Sequence, residues 1–355
     1  MTDLPPDASE RFFSFSRATL PLSVWALYGF FFIKAFLTGA NYSERILLTL
    51  LVMAISVSLW ETIVTPMLVE RVRLKDPILS LAGALLVYLG ADWARTTPVV
   101  ACAVVGTLAG FWGLSGAGSR QTHAGPIYCG AFVGMTSALI LPNPWWIAAA
   151  GLLAGYFYSV SGQVVRGIGG KMGSTAFAGA MVTILLARVA TMAGPGPKII
   201  ALDSAGKLAV LIASLCAPSI SYGLAQNWGL GPILGSALPS AVAALALHSQ
   251  GHSIPFAVGP VAAAWFGGSF IGMTLPHRIG TRPWMLPIMG LLFGWLWISF
   301  KPPLVGIGGG LGATAAVSVL AVVGAVRFAE ITFASLRSFG NKSWSAKQAG
   351  MERGK

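Results

Sequence analysis

Acidic residues are scarce in this chain. It holds 11 Asp and Glu among 355 residues, and between Asp92 and Glu330 the lone carboxylate is Asp203. Carriers driven by protons or cations usually bury Asp or Glu along the pathway, so a carboxylate relay through the middle of the chain is not expected. All charged residues together reach only 10%, whereas a soluble domain carries roughly 25%. That deficit excludes an ordinary soluble surface. Cysteine is limited to Cys102, Cys129 and Cys216, with no CxxC spacing, so neither a disulfide framework nor a thiolate metal site is indicated. His123, His248, His252 and His277 sit in or beside turns with no metal-ligand spacing and read as exposed or capping histidines; the alternative is that His123 and His252, which precede apolar segments, sense pH. The apolar core shows no HExxH motif, no Ser-His-Asp or Cys-His set and no paired carboxylates. Such groups are what an intramembrane enzyme would need. The expectation is a non-enzyme without metal or cofactor.

What the chain does have is long apolar runs. Apolar residues make up 55% and mean hydropathy is +0.75. A membrane-crossing helix needs about 20 apolar residues. On that template twelve spans are expected, near 18–38, 46–66, 77–93, 97–115, 125–142, 146–163, 170–192, 206–224, 230–248, 255–275, 284–300 and 304–327. The fifth and tenth are rich in Gly and Pro, as broken or re-entrant helices are. The first twenty residues show no small-residue cleavage site, so the first span is expected to act as an uncleaved insertion signal. The net charge of +12 lies mostly in short loops, which is a topology signal and not a nucleic-acid footprint. With both termini in the cytoplasm, that side holds 16 of the 23 Lys and Arg residues, among them Arg71, Arg73, Lys75, Arg166, Lys171, Arg278, Arg282 and Arg327. The expected location is a cell membrane, of the bacterial inner-membrane type, with N-in and C-in topology.

The chain also repeats itself. Gly130-Ala-Phe-Val-Gly-Met-Thr136 returns as Gly268-Ser-Phe-Ile-Gly-Met-Thr274, five of seven positions identical. Gly167-Ile-Gly-Gly-Lys-Met-Gly-Ser-Thr-Ala176 returns as Gly306-Ile-Gly-Gly-Gly-Leu-Gly-Ala-Thr-Ala315, seven of ten identical. The copies begin on spans five apart, and an odd separation turns the second copy upside down. The loops agree: uncharged Leu141-Pro-Asn-Pro-Trp-Trp146 corresponds to Leu275-Pro-His-Arg-Ile-Gly-Thr-Arg-Pro-Trp284, with two arginines on the predicted inside.

The expected fold is therefore all-α and polytopic, a five-plus-five inverted repeat behind two extra N-terminal helices. Its parts are a cytoplasmic segment (1–17), a helix pair (18–76), the first repeat (77–193), a Gly/Pro linker (194–205), the inverted second repeat (206–327) and a basic cytoplasmic tail (328–355) with Trp344 as a surface anchor. The size and duplicated layout are similar to urea-transporter-type channels and other five-plus-five carriers. That similarity concerns architecture alone and assigns no site residue.

Repeats of this kind place their site at the midplane, where broken helices expose backbone groups. The candidate solute-binding residues are Gly169, Gly170, Ser174 and Thr175, with Gly308, Gly309 and Thr314. Opening a helix, such glycines present amide N–H groups to an anion or carbonyl oxygen. Phe132 and Phe270 would narrow the path on either side, and Thr136 and Thr274 would offer hydroxyls. The competing explanation is that the glycines only let helices approach closely. The Gly167–Gly173 run is no phosphate loop, because Met172 follows Lys171 where Ser or Thr is required. Glu61, inside span two, is expected to pair with Lys34 or to serve a function. The function these features suggest is a transporter or channel-like facilitator for a small polar or anionic solute in the lipid bilayer. The alternative is a non-transporting scaffold or assembly factor that binds another membrane protein. Homo-oligomerisation is compatible with both.

Overall fold

A computed structural model describes residues 52–56, 73–115, 119–161, 166–198, 201–249, 257–300 and 305–352, with side chains except those of 119–122, 300 and 335–352. All regular structure among these residues is helical: α1 (Lys75–Trp93), α2 (Pro98–Leu114), α3 (Ser119–Gly134), α4 (Pro144–Val160), α5 (Lys171–Val189), α6 (Ser204–Tyr222), α7 (Gly231–Ser249), α8 (Val258–Ile271), the short α9 (Pro276–Ile279), α10 (Met285–Phe300) and α11 (Gly310–Glu352). Four helical stretches are long and apolar enough to cross a membrane: Lys171–Val189, Ser204–Asn227, Gly231–Ser249 and Gly310–Ala334. Shorter apolar helices accompany them at Pro98–Leu114, Val258–Ile271 and Met285–Ser299. Large apolar side chains such as Leu86, Leu108, Leu185, Leu208, Leu245 and Ile288 lie exposed on their outer faces. Soluble monomers rarely leave so much apolar surface in water, whereas lipid suits it.

Local chemistry sets the helix starts. Thr97 accepts from Val100 N at 3.3 Å and Pro98 opens α2. Asn143 accepts from Trp145 N at 2.9 Å and Pro144 opens α4. Asp203 accepts from Gly206 N at 2.9 Å to begin α6. Each cap gives a partner to an amide that the first turn leaves without one. Asp203 thus has a capping role.

The helices fall where the apolar runs predict, with three differences. The expected fifth and tenth spans stop early, at Gly134 and Ile271, and the chain continues as non-helical segments and the four-residue α9. Gly134 and Gly272 stand at the two stops, glycine being a poor helix former, while Pro144 and Pro276 each open the next helix at its first position. The last helix, α11, runs on past the expected end of span twelve at 327 into the basic segment, for 43 residues in all. Spans one and two, with Lys34, Glu61 and His252, lie outside the described residues apart from 52–56.

Packing follows one pattern twice. α1 lies against α3 and α4, α2 against α3, and α4 against α5; likewise α6 lies against α8 and α10, α7 against α8, and α10 against α11. The two groups meet where α2 touches α7 and α5 touches α11. Small residues make the contacts close. A Cβ built on Gly155 would stand 2.7 Å from Ser80 Cβ, and one on Gly294 3.0 Å from Ser214 Cβ. These glycines belong to a third repeated segment, Gly151-Leu-Leu-Ala-Gly155 against Gly290-Leu-Leu-Phe-Gly294. Close approach of backbones through glycine is how membrane helices gain dispersion contacts without a hydrophobic driving force between them.

Candidate functional site

The duplicated segments meet at the centre and hold one another. Gly169 N donates to Thr274 Oγ1 at 3.1 Å, and Gly308 N donates to Thr136 Oγ1 at 3.0 Å. Leu275 N donates to Gly167 O at 2.9 Å, and Ser137 N donates to Gly306 O at 2.8 Å. Each half thus supplies the hydroxyl that satisfies a buried amide of the other. Glycine is required here by conformation: φ is +80° at Gly167 and Gly306, +83° at Gly170 and +81° at Gly309, in the left-handed region that residues with a Cβ avoid. α5 and α11 start from these glycines and cross antiparallel over their first two turns. Gly173 faces Gly312, while Gly170 faces Gly312 and Ala316 and Gly309 faces Gly173 and Phe177.

Beside this crossing Tyr128, Phe132, Phe266 and Phe270 form a buried aromatic quartet. Ring centroids are 4.4 Å apart for Tyr128–Phe132, 4.6 Å for Phe266–Phe270 and 4.8 Å for Phe132–Phe270. Offset and edge contacts at such distances are favourable for aromatic rings. Phe132 and Phe270 therefore touch, and do not flank a midplane space on either side. The serines Ser236, Ser240 and Ser269 add a buried hydroxyl cluster, with Oγ–Oγ distances of 2.8 and 3.1 Å.

All eleven sequence-derived candidates, Gly169, Gly170, Ser174, Thr175, Gly308, Gly309, Thr314, Phe132, Thr136, Phe270 and Thr274, are buried around this junction. Their hydroxyls are engaged locally. Thr175 Oγ1 donates to Met172 O at 2.8 Å, Thr314 Oγ1 to Gly310 O at 2.9 Å, and Ser174 Oγ to Gly170 O at 3.3 Å. Thr136 and Thr274 serve the backbone as described. Of the eleven, Gly170 lines an open space.

That space is a cleft of about 380 Å³, lined by Arg73, Asp76, Gly125, Tyr158, Ser159, Gly167, Ile168, Gly170, Lys171, Met172, Pro232, Ile233, Met273 and Leu275. It is bounded by the start of α1, the end of α4, the start of α5 and α7, and the loop after α8. Its polar residues are tied to their frame. Arg73 N donates to Ser159 Oγ at 2.7 Å, Asp76 N to Arg73 O at 2.9 Å, and Lys171 Nζ to Ser161 O at 2.5 Å. Asp76 is only 5% exposed. Two cationic residues, Arg73 and Lys171, and one carboxylate, Asp76, are among the lining residues, so the lining carries a formal net charge of one positive. At the rim Arg278 Nε donates to Arg166 O at 3.0 Å. His277 packs on Gly167, and burial first, then Arg278 and Arg166, hold its imidazole pKa below the usual histidine value.

Four of these polar residues, Arg73, Asp76, Tyr158 and Lys171, escape a reading by motif. Arg73 and Lys171 look like ordinary topology charges, and Asp76 stands one residue before its apolar run. The available signal was a departure from the repeat: Lys171 replaces the Gly310 of the other copy. The packing extends this comparison. Ser80 and Ser214 occupy equivalent places against Gly155 and Gly294, which puts Asp76 opposite Val210, itself fully buried. The charged residues of the cleft therefore come from one half alone, while Pro232, Ile233, Met273 and Leu275 of the other complete its lining.

Among the described residues no group of three or more His, Cys, Asp or Glu is placed to hold a metal ion. The three cysteines are unpaired, with Cys102 and Cys129 buried. No protein-family model, curated protein or solved structure matches the chain.

Proposed function

We propose that the protein is a multi-pass membrane transporter or facilitator for a small polar or anionic solute. Two inverted repeats, α1–α5 and α6–α11, would enclose the route, with the solute entering by the Arg73–Lys171 cleft. The observation that carries this reading is the cleft itself. A space of about 380 Å³ is in the size range of small-molecule sites, and it ends at the glycine turn that starts α5. Cationic side chains beside a helix N-terminus favour negative charge. The reciprocal bonds between Thr136 and Gly308 and between Thr274 and Gly169 support a two-fold relation between the halves. The cluster of Arg282, Glu330 and Arg327 at one end supports a shared basic, cytoplasmic face.

The contact between Phe132 and Phe270 would be the closed barrier of a state open to one side only, which favours a carrier over a permanently open channel. The same contact favours the scaffold alternative, in which a dry centre is the natural state. Charge distinguishes the two: a scaffold has no need to bury Asp76 in a cleft that Arg73 and Lys171 also line, because buried charge is costly without a function. Flux of small anions and amides into proteoliposomes tests the reading. Uptake that Gly170→Leu and Lys171→Met both abolish is expected. No flux for any of them, together with stoichiometric co-purification of a membrane partner, would establish the scaffold instead.

A further inference from the structure

Accepting that the cleft is the solute entrance, we infer that Asp76 couples a proton to the binding of a small monovalent oxyanion there. Asp76 lies in the same cleft as Arg73 and Lys171, 95% withdrawn from solvent. An anion entering this space competes with the Asp76 carboxylate for the same two cations. Protonation of Asp76 removes the competitor and raises the net charge of the lining from one positive to two. Proton and anion therefore enter together, each raising the affinity for the other, as linkage requires. One H⁺ and one monovalent anion add no net charge, so the loaded cleft faces the apolar core no more highly charged than the empty one.

The donors define the ligand class. Arg73, Lys171 and Tyr158 all belong to the lining; a guanidinium is a planar fork suited to paired oxygens, and an ammonium and a phenol each add single donors. Oxygen acceptors in a compact anion, inorganic or carboxylate, match this set. The titratable and charged groups around Asp76 are Arg73 just before its helix and Lys75 beside it on α1, Tyr158 on α4, Lys171 on α5 and Cys129 on α3, with Arg166, His277 and Arg278 at the rim. Asp76 is the acid among them. Because the other half has Val210 and Gly310 at the matching places, the coupling device faces one side of the membrane.

Nitrate, acetate and lactate serve as probes, since all three stay monovalent between about pH 5.5 and pH 8. Binding to the purified full-length protein is read from tryptophan fluorescence, and coupling from a pH dye inside proteoliposomes, with protein-free vesicles as background. For at least one probe, wild type is expected to bind about tenfold more tightly at the acidic end, a difference of about 1.4 kcal/mol, and to acidify the lumen as the anion enters. Asp76→Asn is expected to bind with the same affinity at both pH values and to move no protons. Asp76→Glu should restore the pH dependence, and Lys171→Met should lose binding. Elution of each variant as a single detergent-solubilised species separates these effects from misfolding. Retained pH dependence in Asp76→Asn, or a wild-type affinity that does not change with pH, overturns the coupling and leaves transport standing. Absence of both binding and flux for all three probes overturns the coupling, and the same absence for small amides overturns the transport reading with it.

Discussion

Replacing Thr136 and Thr274 by valine, singly and together, tests whether the two halves are held by reciprocal hydrogen bonds. Valine keeps the shape of threonine and removes its hydroxyl. In Thr136→Val the amide of Gly308 loses an acceptor 3.0 Å away, and in Thr274→Val the amide of Gly169 loses one at 3.1 Å. Both threonines are at most 2% exposed, so water cannot take over. An unsatisfied buried N–H costs about 1–3 kcal/mol, and the mirrored geometry demands similar costs at the two sites. Ser174→Ala is the comparison: its Oγ donates at 3.3 Å to Gly170 O, and that carbonyl also accepts from Ser174 N. Losing that hydroxyl strands no donor, so the cost stays below about 1 kcal/mol. Thermal unfolding in detergent, followed by intrinsic tryptophan fluorescence, reports the order. Each valine variant should fall by several degrees, at roughly 2–4 °C per kcal/mol, and the double variant by about the sum. Valine variants as stable as Ser174→Ala would show that these bonds do not hold the junction.

Three further perturbations read other parts of the fold. Gly309→Ala places a Cβ at a φ of +81° and 2.5 Å from Gly173 O, whereas Gly229→Ala has a φ of +70° and open space around it. The second should cost only the left-handed penalty of roughly 1–2 kcal/mol, and the first should prevent recovery of folded protein on size-exclusion chromatography. His277, its pKa lowered mainly by burial, binds protons more readily unfolded than folded. Stability should therefore fall as pH drops below the ordinary histidine value toward the folded one, and His277→Asn should flatten that slope in melts across pH. The Arg282–Glu330 pair is about 40% exposed on both sides, so Arg282→Gln should barely shift the melting temperature, and any shift should vanish in high salt.

Helix positions were legible because apolar length and Gly/Pro punctuation act locally. The core of the repeat was legible for the same reason: a left-handed turn such as Gly167 or Gly306 tolerates little but glycine, so both copies keep it. The role of Thr136 and Thr274 was not. Their partners, Gly308 and Gly169, are 172 and 105 residues away, and no local pattern announces a bond across halves. The cleft was hidden for a different reason. Arg73, Asp76 and Lys171 each resemble a charge at the end of a span, and only the crossing of α1, α4 and α5 brings them to one wall. The Gly151–Gly155 repeat was present in the sequence but surrounded by residues that differ, since α4 and α10 keep only the contact faces they share.

At the crossing of α5 and α11, Gly173 and Gly312 meet α-carbon to α-carbon, with no side chains between them. Interlocked side chains would have to be lifted out of register before one helix could turn against the other. Bare backbones have no such teeth. At this one contact the two helices therefore keep their dispersion contacts without any side chain that rotation would have to disengage.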